Sequence, residues 1–297
     1  MAAVAPSSNQ ANKSFPAKKV RSRPLSKTLS RIGIYFLLSV GAVTMIFPFY
    51  FMITSSFKTE AQINQVPPAW LPSPWILDNI KQLFTMIDVT RLFLNSMLVA
   101  TIVTVATMYT SAIIGYVFAK FNFKLKEPIF LTILATMMIP WPVTMVPIYQ
   151  ICLKLGLINN FGGIIVPYLF STFGIFMIRQ FMHTIPTDLL DAARIDGASE
   201  LQVFHSIVVP NSMAAISALG IFTFLWNWDN FLWPLIVLMD EKLYTLPLGI
   251  AMFAGRWWTQ YGPVLAGATV SVVPVLIIFL IFQENITEGI TMTGLKG

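Results

Sequence analysis

Long apolar runs separated by short polar segments set the pattern of this chain. Charge is absent or nearly so from Ile32 to Ile53, Leu92 to Ala119, Pro128 to Leu153, Phe161 to Ile178, about Pro210 to Pro234 and about Val264 to Phe282. Each run is long enough as a helix to cross a hydrocarbon layer about 30 Å thick. A chain crossing lipid must satisfy its backbone polar groups internally, so runs of this length are read as helices. The pattern therefore predicts an all-α, polytopic membrane protein with six transmembrane helices. The third run carries Pro140, Pro142 and Pro147 around Trp141. Proline lacks a backbone donor and crowds the preceding turn, so an unbroken helix is excluded there. Two readings stay open for that break: a kink lining a pathway, or a helix that ends early at the outer surface.

The segments between the runs give the orientation. Residues 1–31 are polar and basic, with Lys13, Lys18, Lys19, Arg21, Arg23, Lys27 and Arg31, and are expected to form a disordered cytoplasmic tail. The run from Ile32 lacks a small-residue cleavage site, so it is expected to stay as a first span rather than leave as a signal peptide. Residues 32–297 then make up the transmembrane domain. Lys120, Lys124, Lys126, Arg179, Arg194 and Lys296 fall on the same side as the tail. Fewer basic residues fall opposite: Lys58, Lys81, Arg91, Lys154, Lys242 and Arg256. By the positive-inside rule both termini are cytoplasmic. Residues 58–91 become the longest outer loop, stiffened by Pro67, Pro68, Pro72 and Pro74, with Trp70 and Trp75 suited to the interface.

Composition agrees and narrows the classes. The 297 residues are 56% apolar and 11% charged, with mean hydropathy +0.72, which excludes a soluble domain. The net charge of +6 sits in the flanks of apolar runs, so a nucleic-acid partner is not implied. A lone cysteine, Cys152, forms no internal disulfide and is expected to fill space in a helix. No Cys/His pair has metal-ligand spacing, and no Gly-x-x-x-x-Gly-Lys-Ser/Thr loop occurs, so the chain has no P-loop of its own.

The stretch from Pro186 to Pro210 breaks the apolar pattern with Asp188, Asp191, Arg194, Asp196 and Glu200, flanked by His183 and His205. Thr187 or Asp188 can cap a short helix whose apolar residues are Leu189, Leu190, Ala193 and Ile195. Gly197 can then stop it in a left-handed conformation. Ser199-Glu-Leu-Gln202 reads as a capping box opening a second helix, with Leu201, Phe204 and Val208 on one face. The expectation is a folded helix–Gly–helix knob. A lipid-surface amphipathic loop would be rich in Lys and Arg, and this stretch is acidic.

Asp191-Ala192-Ala193-Arg-Ile-Asp196-Gly197-Ala198, then eight residues, then Ile207-Val-Val-Pro210, resembles the cytoplasmic loop signature of ABC-importer membrane subunits. Asp191 stands where that family usually has Glu, and Val209 where it usually has Leu. The resemblance covers nearly the whole chain after residue 31 and points to the carbohydrate class, similar to the second permease of maltose-type systems. It implies a type I importer fold and alternating access, with a coupling loop at 186–210 in which Asp188, Asp191, Ala192, Ala193, Asp196, Gly197 and Ala198 meet an ATPase. It implies as partners a second permease, two ATPase subunits that bind ATP and Mg, an extracytoplasmic solute-binding protein, a carbohydrate and membrane lipid. No cofactor is implied for this chain, and the location implied is a bacterial inner membrane.

One further segment stands above background, Trp226-Asn-Trp-Asp-Asn-Phe-Leu-Trp233-Pro234. Asp229 is the only charged residue between Ser206 and Met239, and ionisable groups in a span usually face a bundle interior or cavity. The pattern resembles a recurring element of carbohydrate-importer permeases. Aromatic faces beside amides and a carboxylate suit sugars, which makes Trp226, Asn227, Asp229, Asn230 and Trp233 substrate-pathway candidates. In a continuous helix, Trp226, Asp229, Asn230 and Trp233 share one face. An interfacial aromatic belt also accounts for the tryptophans. Arg256-Trp-Trp-Thr-Gln-Tyr261 is read as an interfacial anchor, with contact to a binding protein or an acidic substrate such as alginate as the other reading. An importer of amino acids, peptides or polyamines stays open as an alternative. An intramembrane enzyme is the other class, and Asp229 alone supplies no paired acid or nucleophile for it.

Overall fold

The computed structural model describes residues 25–256 and 260–294, with side chains over 31–255 and 260–283, and every regular element among them is a helix. The all-α expectation holds. Of the expected tail, residues 1–24 lie outside the described residues, and the chain is already helical from Leu25. Trp257, Trp258 and Thr259 also lie outside them.

The chain divides into two compact units, residues 1–50 and 51–297. Helix α1 (Leu25–Ser55) runs through the division and contains Pro48. The second unit opens with α2 (Glu60–Asn64), α3 (Asp78–Met86) and α4 (Val89–Lys120), then α5 (Lys126–Thr136) and α6 (Trp141–Lys154). It continues with α7 (Phe161–Ile165), a 3₁₀ turn at Val166–Tyr168, α8 (Thr172–Met182), α9 (Thr187–Ile195) and α10 (Glu200–Val203). A π-helical turn at Phe204–Val208 leads into α11 (Val209–Asn211), α12 (Met213–Trp228), α13 (Leu232–Val237), α14 (Leu246–Arg256) and α15 (Tyr261–Gly294).

Four stretches among the described residues are long and apolar enough to cross a membrane: Arg31–Ser55, Val89–Lys120, Phe161–Met182 and Tyr261–Gln283. Two further candidates are bent pairs, α5 with α6 at 100° and Glu200–Asn211 with α12 at 78°. Counting each bent pair as one crossing gives six.

The bends follow from proline and from what receives the freed carbonyls. Pro140 holds the position before α6 with extended backbone, and Pro142 sits in its first turn, so α5 cannot continue through them. Only Pro147 lies inside α6. In the fourth run, Pro167 sits in the 3₁₀ turn and Ser171 caps α8 through Gly174 N. The carbonyls released there are taken up by α4: Thr107 Oγ1 donates to Tyr168 O at 2.9 Å and Thr110 Oγ1 to Leu169 O at 2.8 Å. Broken helix in lipid persists where neighbouring side chains re-satisfy its backbone, and these two threonines do so.

Helix α4 is the centre of the bundle: it lies against α8 and α12, while α12 meets α15 and α15 meets α3. Close packing holds these contacts, because lipid tails are as apolar as the side chains and transfer from water does not separate helix from helix. A Cβ on Gly115 would come within 2.8 Å of Ile178, and one on Gly174 within 2.4 Å of Ser111 Oγ, so α4 and α8 approach where glycine permits.

Two sequence expectations are corrected. The fifth run is not one helix: α12 stops at Trp228, Asp229 and Asn230 lie outside it, and α13 starts at Leu232. The segment after Pro234, expected as an outer loop, contains α14, whose Leu246, Leu248 and Phe253 are buried. Its apolar stretch is too short to register as a span.

Candidate functional site

The acidic stretch forms the expected knob. Pro186 occupies the position before α9, with no side-chain cap, so the cap expected from Thr187 or Asp188 is not made. Asp188 instead lies in the first turn, where its negative charge complements the helix dipole. Gly197 has φ +87°, and the turn closes by Gly197 N to Arg194 O at 3.1 Å and Ala198 N to Ala193 O at 3.0 Å. Ser199 and Gln202 make the capping box in both directions.

One side of the knob is core. Leu190, Val203, Phe204 and Val208 are buried with Ala112 and Tyr116 of α4 and Ile178 and Met182 of α8. The other side is solvent-facing: Asp188, Asp191, Ala192, Asp196 and Gly197 are exposed, and Ala193 and Ala198 are half-buried. Of the apolar residues read for the two short helices, Leu189, Ile195 and Leu201 are exposed, Ile195 by 85%. The knob thus presents apolar side chains among carboxylates.

Within the knob, Asp191 is not a free acid. Arg194 Nη1 donates to Asp191 Oδ1 at 2.7 Å, while Arg194 Nε and Nη2 donate to the two oxygens of Glu200 at 2.7 and 3.2 Å. Those hydrogen bonds, Glu200 first and Asp191 second, push the guanidinium pKa above its ordinary value. Glu200 Oε2 also accepts from the Tyr116 hydroxyl of α4 at 3.1 Å. Sequence reasoning missed Tyr116, Arg194 and Glu200 as a set, because nothing local announces a contact across that separation.

The aromatic segment is divided among different surroundings. Trp228 is buried, edge-on to Phe93, and its Nε1 donates to Ser271 O at 3.1 Å. Trp233 is fully buried, edge-on to Trp141, and its Nε1 donates to Gly163 O at 2.9 Å. Trp226 is 71% exposed. Asn227 Nδ2 turns back to Thr223 O at 2.8 Å. Asp229 is exposed and ends α12. Asn230 Nδ2 donates to the Tyr168 hydroxyl at 3.2 Å, and its Oδ1 accepts from Trp233 N at 3.4 Å. The expected single-face stripe of Trp226, Asp229, Asn230 and Trp233 is therefore absent, because the helix carrying it ends at Trp228.

The same region brings together three breaks. Trp141 begins α6 after its bend, Tyr168 lies in the break of the fourth run, and Asn230 in the break after α12; the Trp141 and Tyr168 rings are 5.5 Å apart. Thr107, which holds Tyr168 O, lies roughly 14 Å along α4 from Tyr116 at the rise of a helix, near the middle of that span. At the far end of α4, roughly 38 Å from the knob contact, a cavity of about 240 Å³ is lined by Asp88, Arg91, Glu241, Lys242, Tyr244 and Phe253 among others. Lys58 was also missed: it is fully buried, with Nζ 3.3 Å from Thr54 Oγ1 and Ser55 Oγ and over the Phe51 ring at 4.6 Å. Its place just beyond the carbonyl end of α1 suits a cation. No cluster of His, Cys, Asp and Glu among the described residues could hold a metal ion.

Residues 111–291, which include the knob and the aromatic segment, match the family described as binding-protein-dependent transport system inner membrane component. The arabinooligosaccharides transport system permease protein AraQ of Halalkalibacterium halodurans is 34% identical over 94% of this chain and 100% of that protein. The lactose transport system permease protein LacG of Rhizobium radiobacter is 34% identical over 89% of this chain and 96% of that protein. In fold, the chain is similar to a bacterial ABC transporter involved in the import of the acidic polysaccharide alginate, with TM-score 0.79 and 20% identity over 90% of this chain and 99% of that chain.

Proposed function

This chain belongs to the family of binding-protein-dependent transport system inner membrane components, a membrane-embedded permease of ABC importers, and from that premise we propose that it carries carbohydrate inward. The observation that carries the reading is the end-to-end similarity to permeases named for arabinooligosaccharides and for lactose. We place the knob in the cytoplasm with both termini, a reading supported by the excess of Lys and Arg in the segments on that side. There the exposed Asp188, Asp191, Ala192, Asp196 and Gly197, with Ile195 and Leu201 beside them, receive a separate ATPase. Ala193 and Ala198 close the turn behind them. A second permease completes the membrane assembly, two ATPase subunits bind ATP and Mg, and a solute-binding protein delivers from outside, towards the mixed-charge cavity at the other end of α4.

Transport then proceeds by alternating access, with rigid-body motion of the knob moving the spans. Discontinuous helices near mid-membrane are where transporters commonly bind solutes, which keeps Asn227, Asp229 and Asn230 as pathway candidates. Trp226, exposed, and Trp233, bonded into the core, are the weaker members of that group.

The test is uptake into liposomes containing the purified assembly, its binding protein and internal ATP. Lactose, arabino-oligosaccharides and alginate oligomers are offered beside an amino acid, a dipeptide and a polyamine. ATP-dependent uptake of a carbohydrate is the expected result, and uptake confined to the nitrogenous solutes would overturn the reading. The chain purified alone is expected to hydrolyse no ATP.

A further inference from the structure

The knob touches the bundle in two chemically different ways. Its buried side is apolar packing, formed by Leu190, Val203, Phe204 and Val208 against α4 and α8. Its polar contact with α4 is a chain of hydrogen bonds leading to the exposed surface: Tyr116 Oη to Glu200 Oε2 at 3.1 Å, Arg194 to both Glu200 oxygens at 2.7 and 3.2 Å, and Arg194 to Asp191 Oδ1 at 2.7 Å. Tyr116 belongs to α4, Asp191 and Arg194 to α9, and Glu200 to α10. The guanidinium fork therefore bridges the knob's two helices across the Gly197 turn, and the phenol ties that bridge to the central span. Apolar packing is non-directional, whereas a two-pronged Arg–carboxylate contact fixes direction as well as distance. The tyrosine ring is also held, at 5.6 Å from Phe204 and 5.3 Å from Phe121.

We propose that Tyr116, Glu200 and Arg194 form the link that converts displacement of the knob into movement of α4, with Tyr116 as its positioning residue on the membrane side. Arg194 keeps α9 and α10 turning as one body, and the Glu200–Tyr116 hydrogen bond makes α4 follow. Asp191, at the exposed end of the chain of bonds, is where a docking partner's cation competes with Arg194 for the carboxylate. The proposal rests on the reading that the knob receives an ATPase.

The experiment uses the assembly purified with its ATPase and second permease in lipid nanodiscs, with ATP and vanadate as the probe. Thr90→Cys, exposed at the far end of α4, carries an environment-sensitive fluorophore; Cys152 is buried. Trapped nucleotide reports closure of the ATPase, and fluorescence reports α4. Wild type is expected to show both. Tyr116→Phe keeps the ring and its aromatic contacts, so it is expected to trap nucleotide like wild type while the fluorescence response falls about 2- to 10-fold. Glu200→Gln lowers the response in the same direction, and the double variant falls no further than the worse single one, because one chain of bonds has been cut. A wild-type response in both single variants overturns the proposal. So does a proportional fall of trapping and response together, which marks a role in folding alone. A wild-type assembly that holds no ATPase or traps no nucleotide overturns the docking reading instead, so the two failures are told apart.

Discussion

The knob between Pro186 and Pro210 and the aromatic segment between Trp226 and Pro234 are both interrupted helices, and they are held in shape by opposite means. The knob is closed by neighbours in sequence: the Ser199–Gln202 capping box, the left-handed Gly197, and Arg194 reaching Asp191 and Glu200. The aromatic segment is held by distant partners: Ser271 for Trp228, Gly163 for Trp233, Tyr168 for Asn230. In a continuous helix Trp228 and Trp233 would point about 140° apart, yet each is buried in a separate core. The break between them lets both be packed. A body closed by its own bonds can move as a unit, while a segment pinned to α15, α7 and the 3₁₀ turn after it marks where the spans are fixed to one another. That division is the one the proposed coupling through the knob requires.

The largest effect expected in testing that contrast is from Trp233→Ala. Removing a fully buried indole and its bond to Gly163 O is expected to cost about 3–5 kcal/mol. Trp226→Ala, at a side chain 71% exposed, should stay within about 0.5 kcal/mol. Thermal unfolding of the two purified variants compares them directly, and equal losses would show that the segment is not pinned as described. Next comes Gly197→Pro. The Gly197 φ of +87° is out of reach for proline, and its N–H to Arg194 O is lost, so a local cost of about 3 kcal/mol is expected. Because the knob is closed locally, that damage should stay there: the variant inserts normally, but ATPase co-purification and ATP-driven uptake fall at least tenfold. A wild-type level of both would make the stretch a simple connector.

How much of this was legible in the sequence follows the same division. Gly197 and the Ser199–Gln202 box could be read because turn chemistry is local, and the prolines around Trp141 announced the bend now seen between α5 and α6. The stop after Trp228 could not be read, because no glycine or proline marks it and packing against α15, α7 and α6 decides it. Helix α14 was hidden by its length. The inward turn of Leu190 and the outward turn of Leu189 depend on where α4 and α8 lie, and the Tyr116–Glu200 contact joins residues far apart in the chain.

A smaller effect is expected from Ser199→Ala. It removes one half of the capping box, leaving Gln202 N without its acceptor, and should cost about 1 kcal/mol. Hydrogen exchange should rise over Glu200–Val203 while α12 is unaffected. Spread of the faster exchange into α12 would contradict the view that the knob is closed by its own bonds.

The smallest structural effect, and the sharpest functional one, is expected from Asp229→Ala. Asp229 is exposed, lies at the end of α12, and has neither an ion pair nor a side-chain hydrogen bond among the described residues. Its removal should therefore leave stability within about 0.5 kcal/mol. Asn230→Ala differs, because it loses bonds to the Tyr168 hydroxyl and to Trp233 N and should cost about 1 kcal/mol. If Asp229 meets a carbohydrate hydroxyl in the pathway, uptake at equal assembly should fall about tenfold, the worth of one hydrogen bond to a charged group. Cysteines placed at 226–230 in a Cys152→Ser background, labelled from water with and without the transported sugar, locate the group. Protection by sugar at 229 and 230 but not at 226 is the expected pattern. Labelling at 229 that sugar does not slow, with uptake unchanged in Asp229→Ala, would remove this residue from the pathway and leave the segment as a packing hub alone.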